Sequence, residues 1–398
     1  MLVGVVGKAN VGKSTFFKAL TLAEVEIANY PFATIKPNHG VGFVKIECVD
    51  KDFGVQCNPR EGFCIKHNRF VPVNVIDVAG LVPGAHEGKG MGNQFLNDLN
   101  QADALIHVID CSGSTNEKGE PIAAGTYDPA NDIKFLEEEL DYWYIDILKK
   151  VWDKFSKAVT QTQTDVDKSL HKQFSGLGSS EEMIKDMLKQ LSLSEKKLKD
   201  WSEDELSSFA KALRKRTKPM VIAANKIDTT SAQENYKRLR EQFSHLTIIP
   251  CSAESELALK EAAKHKLIEY LPGEKDFKII GSPNDKQTKG LEFIKNNVLE
   301  RFVEGTGVQQ VLNNVVFELL KRIAIFPGGI NKLEDQHGNV LPDCFLLPEK
   351  STALDFAYRI HTDLGNGFIR AIDVKTKRTV GKEHLLKHLD VVEIISSK

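Results

Sequence analysis

Short apolar runs rich in Val and Ile alternate with longer stretches of helical spacing over most of the chain. LVGVV (2–6) is one such run; others are VPVNVI ahead of Asp77, VIAANKID just after Pro219, and the start of IIPCSAES. Continuous apolar runs of this length predict strands buried on both faces, as in a parallel sheet. TFFKALT, after the first run, predicts a helix. From Asp128 the period changes: Leu136, Leu140, Tyr144, Ile147, Val151 and Phe155 recur at helical spacing, with Asp128 suited to an N-cap and Pro129 to the first helical position. SEDELSSFAKALRKR opens with a capping box, Ser202 to Glu205. Residues 128–216 therefore read as a helical insertion, and 288–322 read as helical again. Beyond them the pattern turns to short strands around one amphipathic helix, with Thr352 at its start and Leu354, Phe356, Ala357 and Ile360 along its inner face. Two strands flank a turn at Lys375–Arg378 and DVVEII closes the pattern, which predicts a small β-grasp. The expected fold is α/β: a mostly parallel sheet domain from 1–127 with 217–320, the insertion at 128–216, and the β-grasp at 321–398.

The ends of the predicted strands carry the chemistry. Gly7 to Ser14 reads G-x-x-x-x-G-K-S between a strand and a helix. In that context the backbone N–H groups of Gly7, Lys8, Ala9, Asn10, Val11, Gly12, Lys13, Ser14 and Thr15 wrap phosphates, Lys13 reaches the β and γ oxygens, and Ser14 ligates Mg²⁺. Asp77 and Gly80 form D-x-x-G, the arrangement that holds Mg²⁺ and senses a γ-phosphate; the next residue is Leu81, where many GTPases carry a water-orienting Gln. Asn225, Lys226 and Asp228 form N-K-x-D at a third strand end. A carboxylate at Asp228 accepts both N1–H and the exocyclic N–H₂ of guanine, whereas adenine would leave it unpaired. Asn225 is expected to tie this loop to the phosphate loop, the stem of Lys226 to cover the base, and Ser252 with Ala253 to present a backbone N–H to guanine O6.

Together these motifs resemble the Ras-like superclass of GTPases. ANYPFATIKPN resembles the first switch of the Obg family, which implies that Thr34 ligates Mg²⁺ and meets the γ-phosphate. GLVPGAHEGKGMGNQFL is similar to the Obg second switch, and its glycines suit a segment that orders on a γ-phosphate. Ser351 to Gly365 resembles the TGS domain. The order of the three parts resembles the YchF branch of the Obg-related GTPases, in its archaeal and fungal subgroup. The best-known YchF members prefer ATP and have a degenerate base loop; NKID is intact here, so that preference is not carried over. An apolar residue after D-x-x-G is usual in YchF and Obg, which implies that catalytic help comes from elsewhere. In potassium-activated relatives an Asn at the position of Asn10 ligates K⁺; the alternative is a hydrogen bond from Asn10 to the loop backbone. His86 is a second candidate for positioning water, against a solvent-exposed loop His.

Charge and composition narrow the partners. Apolar content of 41% and charged content of 27% are those of a soluble globular protein. The formal net charge of −2 restricts any nucleic-acid contact to local patches. The TGS-like segment offers Arg370, Lys375, Lys377, Arg378, Lys382 and Lys387 without interleaved aromatics, which would read phosphates rather than bases. KKVWDK and RKRTK in the insertion read either as solvated helix faces or as an RNA or ribosome contact. No apolar run approaches the roughly 18–20 residues of a membrane span, and the strand starting at Leu2 leaves no room for a signal peptide, so the cytoplasm is expected; a monomer is expected as well. Cysteines in such a setting are expected to be reduced; Cys48, Cys57, Cys64 and His67 cluster, which leaves open a metal site or a disulfide between Cys57 and Cys64. The leading functional reading is a Mg²⁺-dependent, slow GTPase switch that binds GTP and GDP and associates with a ribosome or RNA. The alternatives are an ATPase in stress or redox control and a non-catalytic, nucleotide-gated scaffold.

Overall fold

The computed structural model describes residues 1–22, 38–78, 98–162 and 164–397. They fall into two units, Met1–Phe17 with Val75–Ala253 and Lys18–Asn74 with Glu254–Lys398. The elements run β1 (Leu2–Val6), α1 (Lys13–Thr21), β2 (His39–Glu47), β3 (Phe63–Ile65), β4 (Asn68–Asp77) and β5 (Ala104–Asp110). The helices α2 (Ala130–Thr162), α3 (Val166–Phe174), α4 (Glu181–Gln190) and α5 (Glu203–Thr217) follow. Then come β6 (Met220–Asn225), α6 (Thr230–Gln242), β7 (Thr247–Pro250), α7 (Ala253–Lys264), β8 (Ile268–Tyr270), β9 (Phe277–Ile279), α8 (Asp285–Ile294) and α9 (Val308–Asn313). The chain closes with β10 (Arg322–Pro327), β11 (Phe345–Pro348), α10 (Ala353–Ile360), α11 (Thr362–Asn366), β12 (Phe368–Asp373), β13 (Arg378–Val380) and β14 (Val391–Ser396).

In the first unit β1 pairs with β5, β5 with β6, and β6 with β7, all in parallel. Every residue of β5 and β6 is buried, which explains why these strands read as unbroken apolar runs. The register sets Asp110 beside Asn225, and Val78 N–H donates to Val5 O at 3.0 Å. The strand ends carrying Gly7, Asp77, Asp110 and Asn225 therefore share one edge of the sheet, where parallel α/β sheets bind ligands.

The insertion is helical as its spacing requires. Asp128 Oδ1 accepts from Ala130 N–H (2.9 Å), and Ser202 and Glu205 form the expected capping box. The buried stripe of α2 follows Leu136, Leu140 and Tyr144 and then runs through Leu148 and Trp152; Ile147, Val151 and Phe155 are only half-buried. Trp152 meets Trp201, just ahead of α5, at 5.2 Å between ring centroids, an aromatic contact on the buried side of α2. Two cations of RKRTK are internal: Arg214 Nε donates to Asp141 (2.7 Å), and Lys218 Nζ donates to Asn100 O and Ala102 O (2.9 and 2.6 Å). Only Lys215 and the half-buried Arg216 of this run reach solvent.

In the second unit β3 and β4 form an antiparallel hairpin, with Phe63 and Phe70 stacked at 4.5 Å. The stretch expected to be helical from 288 to 322 is two helices. The chain leaves the first after a π turn at Lys295–Leu299, passes through Gly305 (φ 59°) and Gly307 (φ 80°), and resumes as α9; β10 already begins at Arg322. Left-handed backbone at those two glycines is incompatible with a continuous helix. The C-terminal strands order as β11-β10-β14-β12-β13, with β10 and β14 parallel and the other pairs antiparallel. Helix α10, capped by Thr352, buries Ala353 and Phe356 in one core with Ile323, Ile325, Leu347 and Val392, and Ala357 is buried as well. This is the β-grasp that the sequence pattern predicts. No helix among the described residues is long and apolar enough to cross a membrane.

Candidate nucleotide site

The phosphate loop leaves β1 through Gly7, whose position admits no side chain: a Cβ there would lie 2.6 Å from Val108 O. Asn10 adopts φ 62°, and Gly12 adopts φ 89° with Asn225 Nδ2 where a Cβ would stand. Lys13, at the start of α1, pairs its Nζ with Asp77 Oδ1 and donates to Val78 O (2.8 Å). The side chains expected to meet the β/γ oxygens and the metal therefore already face each other, and Ser14 is exposed beside them. Thr34, Gly80, Leu81 and His86 lie outside the described residues.

Asn225, buried at the end of β6, joins the loops. Its Nδ2 donates to Val11 O (2.9 Å) and its Oδ1 accepts from Ala253 N–H (3.0 Å). The first contact is the tie to the phosphate loop that the sequence predicts. The second engages the Ala253 N–H that was expected to meet guanine O6. Ser252 Oγ donates to Asp228 Oδ1 at 3.0 Å, so Ser252 orients the carboxylate through its side chain. Lys226, at φ 62°, does not leave its head free: Nζ donates to Asp110 Oδ2 (2.9 Å) and Ser114 Oγ (3.3 Å), which keeps the stem, and only the stem, available to a base.

The loop after β5 was missed by sequence reasoning, although ALIHVID ending in Asp before C-S-G-S-T has the same form as the other strand ends. Burial pushes the Asp110 carboxyl up, but hydrogen bonds from Ser112, Lys226 and Ser114 outweigh it and hold the group below the usual carboxylate range. Ser114 Oγ (2.7 Å) and Thr115 Oγ1 (3.1 Å) donate to its Oδ2. Asn10 Nδ2 donates to Gly119 O (2.8 Å) across this loop. Because a carbonyl can only accept, the amide orientation is fixed and Oδ1 of Asn10 is the atom left over. Lys8 turns its side chain away from the phosphate side. Its buried Nζ donates to Asp132 Oδ1 (2.9 Å) and Thr115 O (3.2 Å) and lies 3.9 Å over the Tyr127 ring, so only its backbone can serve phosphates.

Three family models match the chain: "50S ribosome-binding GTPase" over residues 2–141, "Obg-like GTPase YGR210-like, G4 motif-containing domain" over 223–328, and "TGS domain" over 336–396. A GTP-binding protein of Methanocaldococcus jannaschii is 48% identical, over 100% of this chain and 99% of that protein. One of Schizosaccharomyces pombe is 35% identical, over 89% and 88%. The crystal structure of a GTP-binding protein from Pyrococcus horikoshii OT3 superposes with a TM-score of 0.79 at 40% identity, over the whole of both chains. With its P-loop sheet, helical region and C-terminal TGS domain, this chain belongs to the YchF/Obg family of GTP-binding proteins.

Proposed function

We propose that the chain is a guanine-specific, slow GTP hydrolase that works as a nucleotide-gated switch. The observation that carries this reading is the Asp228 carboxylate, oriented by Ser252 and joined through Asn225 to the phosphate loop. Asp228 would accept the two guanine donors and the Lys226 stem would cover the base. The loop from Gly7 to Thr15 would hold the phosphates, with Lys13 on the β/γ oxygens. The hydroxyl of Ser14 and the carboxylate of Asp77, with Thr34 from the first switch, form the hard-oxygen donor set that suits Mg²⁺. Bound there, Mg²⁺ neutralises charge on the β and γ oxygens.

Leu81 has no group to orient water, so the missing assistance is assigned to a cation held partly by Asn10 Oδ1, with His86 as the second candidate. K⁺ near the bridging oxygen would stabilise charge as an arginine finger does. Ribosome or RNA association is supported by the description of the model matching residues 2–141 and by the TGS domain, where Arg370, Lys377, Arg378, Lys382 and Lys387 are exposed. Lys375 is a weaker contributor, since it pairs with Asp52 at 2.7 Å. Action as a cytoplasmic monomer completes the reading. The test is turnover of GTP and of ATP in KCl and in NaCl at equal ionic strength, for the wild type and Asn10→Ala. The expected result is slow GTP turnover, faster in K⁺, with that difference lost in the variant. ATP turnover equal to or above GTP turnover would overturn the guanine assignment, and equal GTP rates in both salts would remove the cation.

A further inference from the structure

The segment after β2 folds around three sulfurs and a carboxylate. Cys48 Sγ lies 3.5 Å from Cys57 Sγ, and Cys64 Sγ lies 3.7 Å from Asp50 Oδ2. Ligand atoms of Cys48, Asp50, Cys57 and Cys64 all lie within 4.8 Å of one another. All six cysteines are free, and no disulfide joins Cys57 to Cys64.

We propose that Cys48, Cys57, Cys64 and Asp50 form a structural zinc site. A tetrahedral Zn²⁺ with bonds of about 2.3 Å to sulfur and about 2.0 Å to oxygen requires S···S edges of about 3.8 Å and S···O edges of about 3.5 Å. The observed 3.5 and 3.7 Å lie within about 0.3 Å of those edges. A disulfide would engage only two of the sulfurs and would leave the third and the buried carboxylate unexplained.

The surroundings are those of a held ligand set. Asp50, fully buried in the short turn Val49–Phe53, takes a hydrogen bond on Oδ2 from Cys57 N–H (3.0 Å), while its Oδ1 lies 2.9 Å from His67 Nδ1. His67 reaches it from the β3–β4 hairpin, where Lys66 and His67 both adopt left-handed backbone (φ 49° and 59°). Such two-residue turns favour Asn-Gly, so two bulky residues there need compensation from what the turn positions. Ligating carboxylates held by a second partner are usual at metal centres.

Charge supplies an independent argument. Arg69 is 1% exposed and has no carboxylate ion pair among the described residues; the nearby Asp335 and Asp343 pair with Arg60 instead. Its guanidinium donates to Leu341 O (3.0 Å), Pro342 O (2.8 Å) and Cys57 Sγ (3.6 Å). A buried cation wants a counter-charge, and metal-bound thiolate at Cys57 provides it. The site would thus fasten residues 48–67 to the loop before β11, where Asn58 N–H and Arg60 N–H also donate to Val340 O and Pro342 O (both 2.9 Å).

The test uses the full-length chain, stripped with a chelator under reducing conditions and titrated with Co²⁺. One equivalent should bind with thiolate-to-cobalt charge-transfer bands and the intense visible bands of a tetrahedral site. One equivalent of Zn²⁺ should displace it and raise the melting temperature. Cys64→Ser, at the half-buried rim of the cluster, should keep the fold by circular dichroism and bind Co²⁺ at least about tenfold more weakly, with a reduced charge-transfer band. Absence of charge-transfer bands in the reduced wild type would overturn the proposal, as would identical bands in Cys64→Ser. Formation of a Cys48–Cys57 disulfide in a protein that ignores Co²⁺ when reduced would assign the cluster to redox chemistry instead.

Discussion

Replacing Asn225 by Ala tests the joint between the base loop and the phosphate loop. The side chain is 4% exposed and makes two hydrogen bonds, to Val11 O and from Ala253 N–H. Val11 and Ala253 are themselves buried, so truncation leaves a carbonyl and an N–H without partners or water. An unsatisfied buried group costs about 1–3 kcal/mol, so two such groups place the loss at about 2–4 kcal/mol after partial relaxation. Part will appear as lower stability of the nucleotide-free protein in urea titration. The rest will appear as weaker GDP binding by calorimetry, about 10²-fold, because the two loops no longer hold each other in register. Asn225→Asp separates geometry from charge. It keeps the acceptor for Ala253 but sets a carboxylate oxygen against Val11 O, and should be as damaging as Ala or worse. GDP binding within a factor of about three of wild type in both variants would refute the joint.

Lys13→Ala should weaken GTP binding about 10²-fold; because Lys13 also pairs with Asp77 where both side chains are largely buried, the nucleotide-free protein should lose about 1–3 kcal/mol of stability as well, and such a loss with unchanged affinity would make Lys13 structural. Arg214→Met should destabilise the protein by about 3 kcal/mol in urea titration, because Glu137 and Asp141 lose the buried guanidinium that pairs with both. His107 is buried in β5 with Nδ1 unpartnered among the described residues, and burial, then the nearby charge of Lys8, pushes its pKa down to about 3. On acidification the unfolded chain takes up that proton first, so stability present above about pH 6.5 should be lost as pH falls towards 3; His107→Leu should flatten that part of the stability–pH curve.

Much of this fold can be read along the chain because its local signals agree with its packing. LVGVV, VIAAN and the start of IIPCSAES became parallel strands, Ser202 with Glu205 became a capping box, and the Thr352 helix docked by Phe356. What could not be read depends on partners distant in sequence. Trp152 packs on Trp201, and the buried stripe of α2 passes through Trp152 rather than Val151 and Phe155. Arg214 and Lys218 look like surface cations in RKRTK, and only Asp141 and the carbonyls of Asn100 and Ala102 make them internal. Among the described residues of the nucleotide site, the motif spacing anticipated that Lys13 meets Asp77 and that Asn225 ties its loop to the phosphate loop, but not the division of labour. Lys226 gives its head to Asp110, Ala253 its N–H to Asn225, and Lys8 its side chain to Asp132, each through a loop or helix whose position no local pattern encodes.

We propose that the carboxylate of Asp228 selects guanine. The most direct measurement is calorimetric titration of the nucleotide-free protein with GDP and with ADP, repeated for Asp228→Asn. Guanine offers two donors to the carboxylate that Ser252 orients, and adenine offers neither. The expected preference for GDP is at least about 10²-fold, or about 3 kcal/mol, and it should collapse in the variant through loss of GDP affinity. ADP binding as tight as or tighter than GDP, or GDP affinity unchanged in Asp228→Asn, would contradict the account.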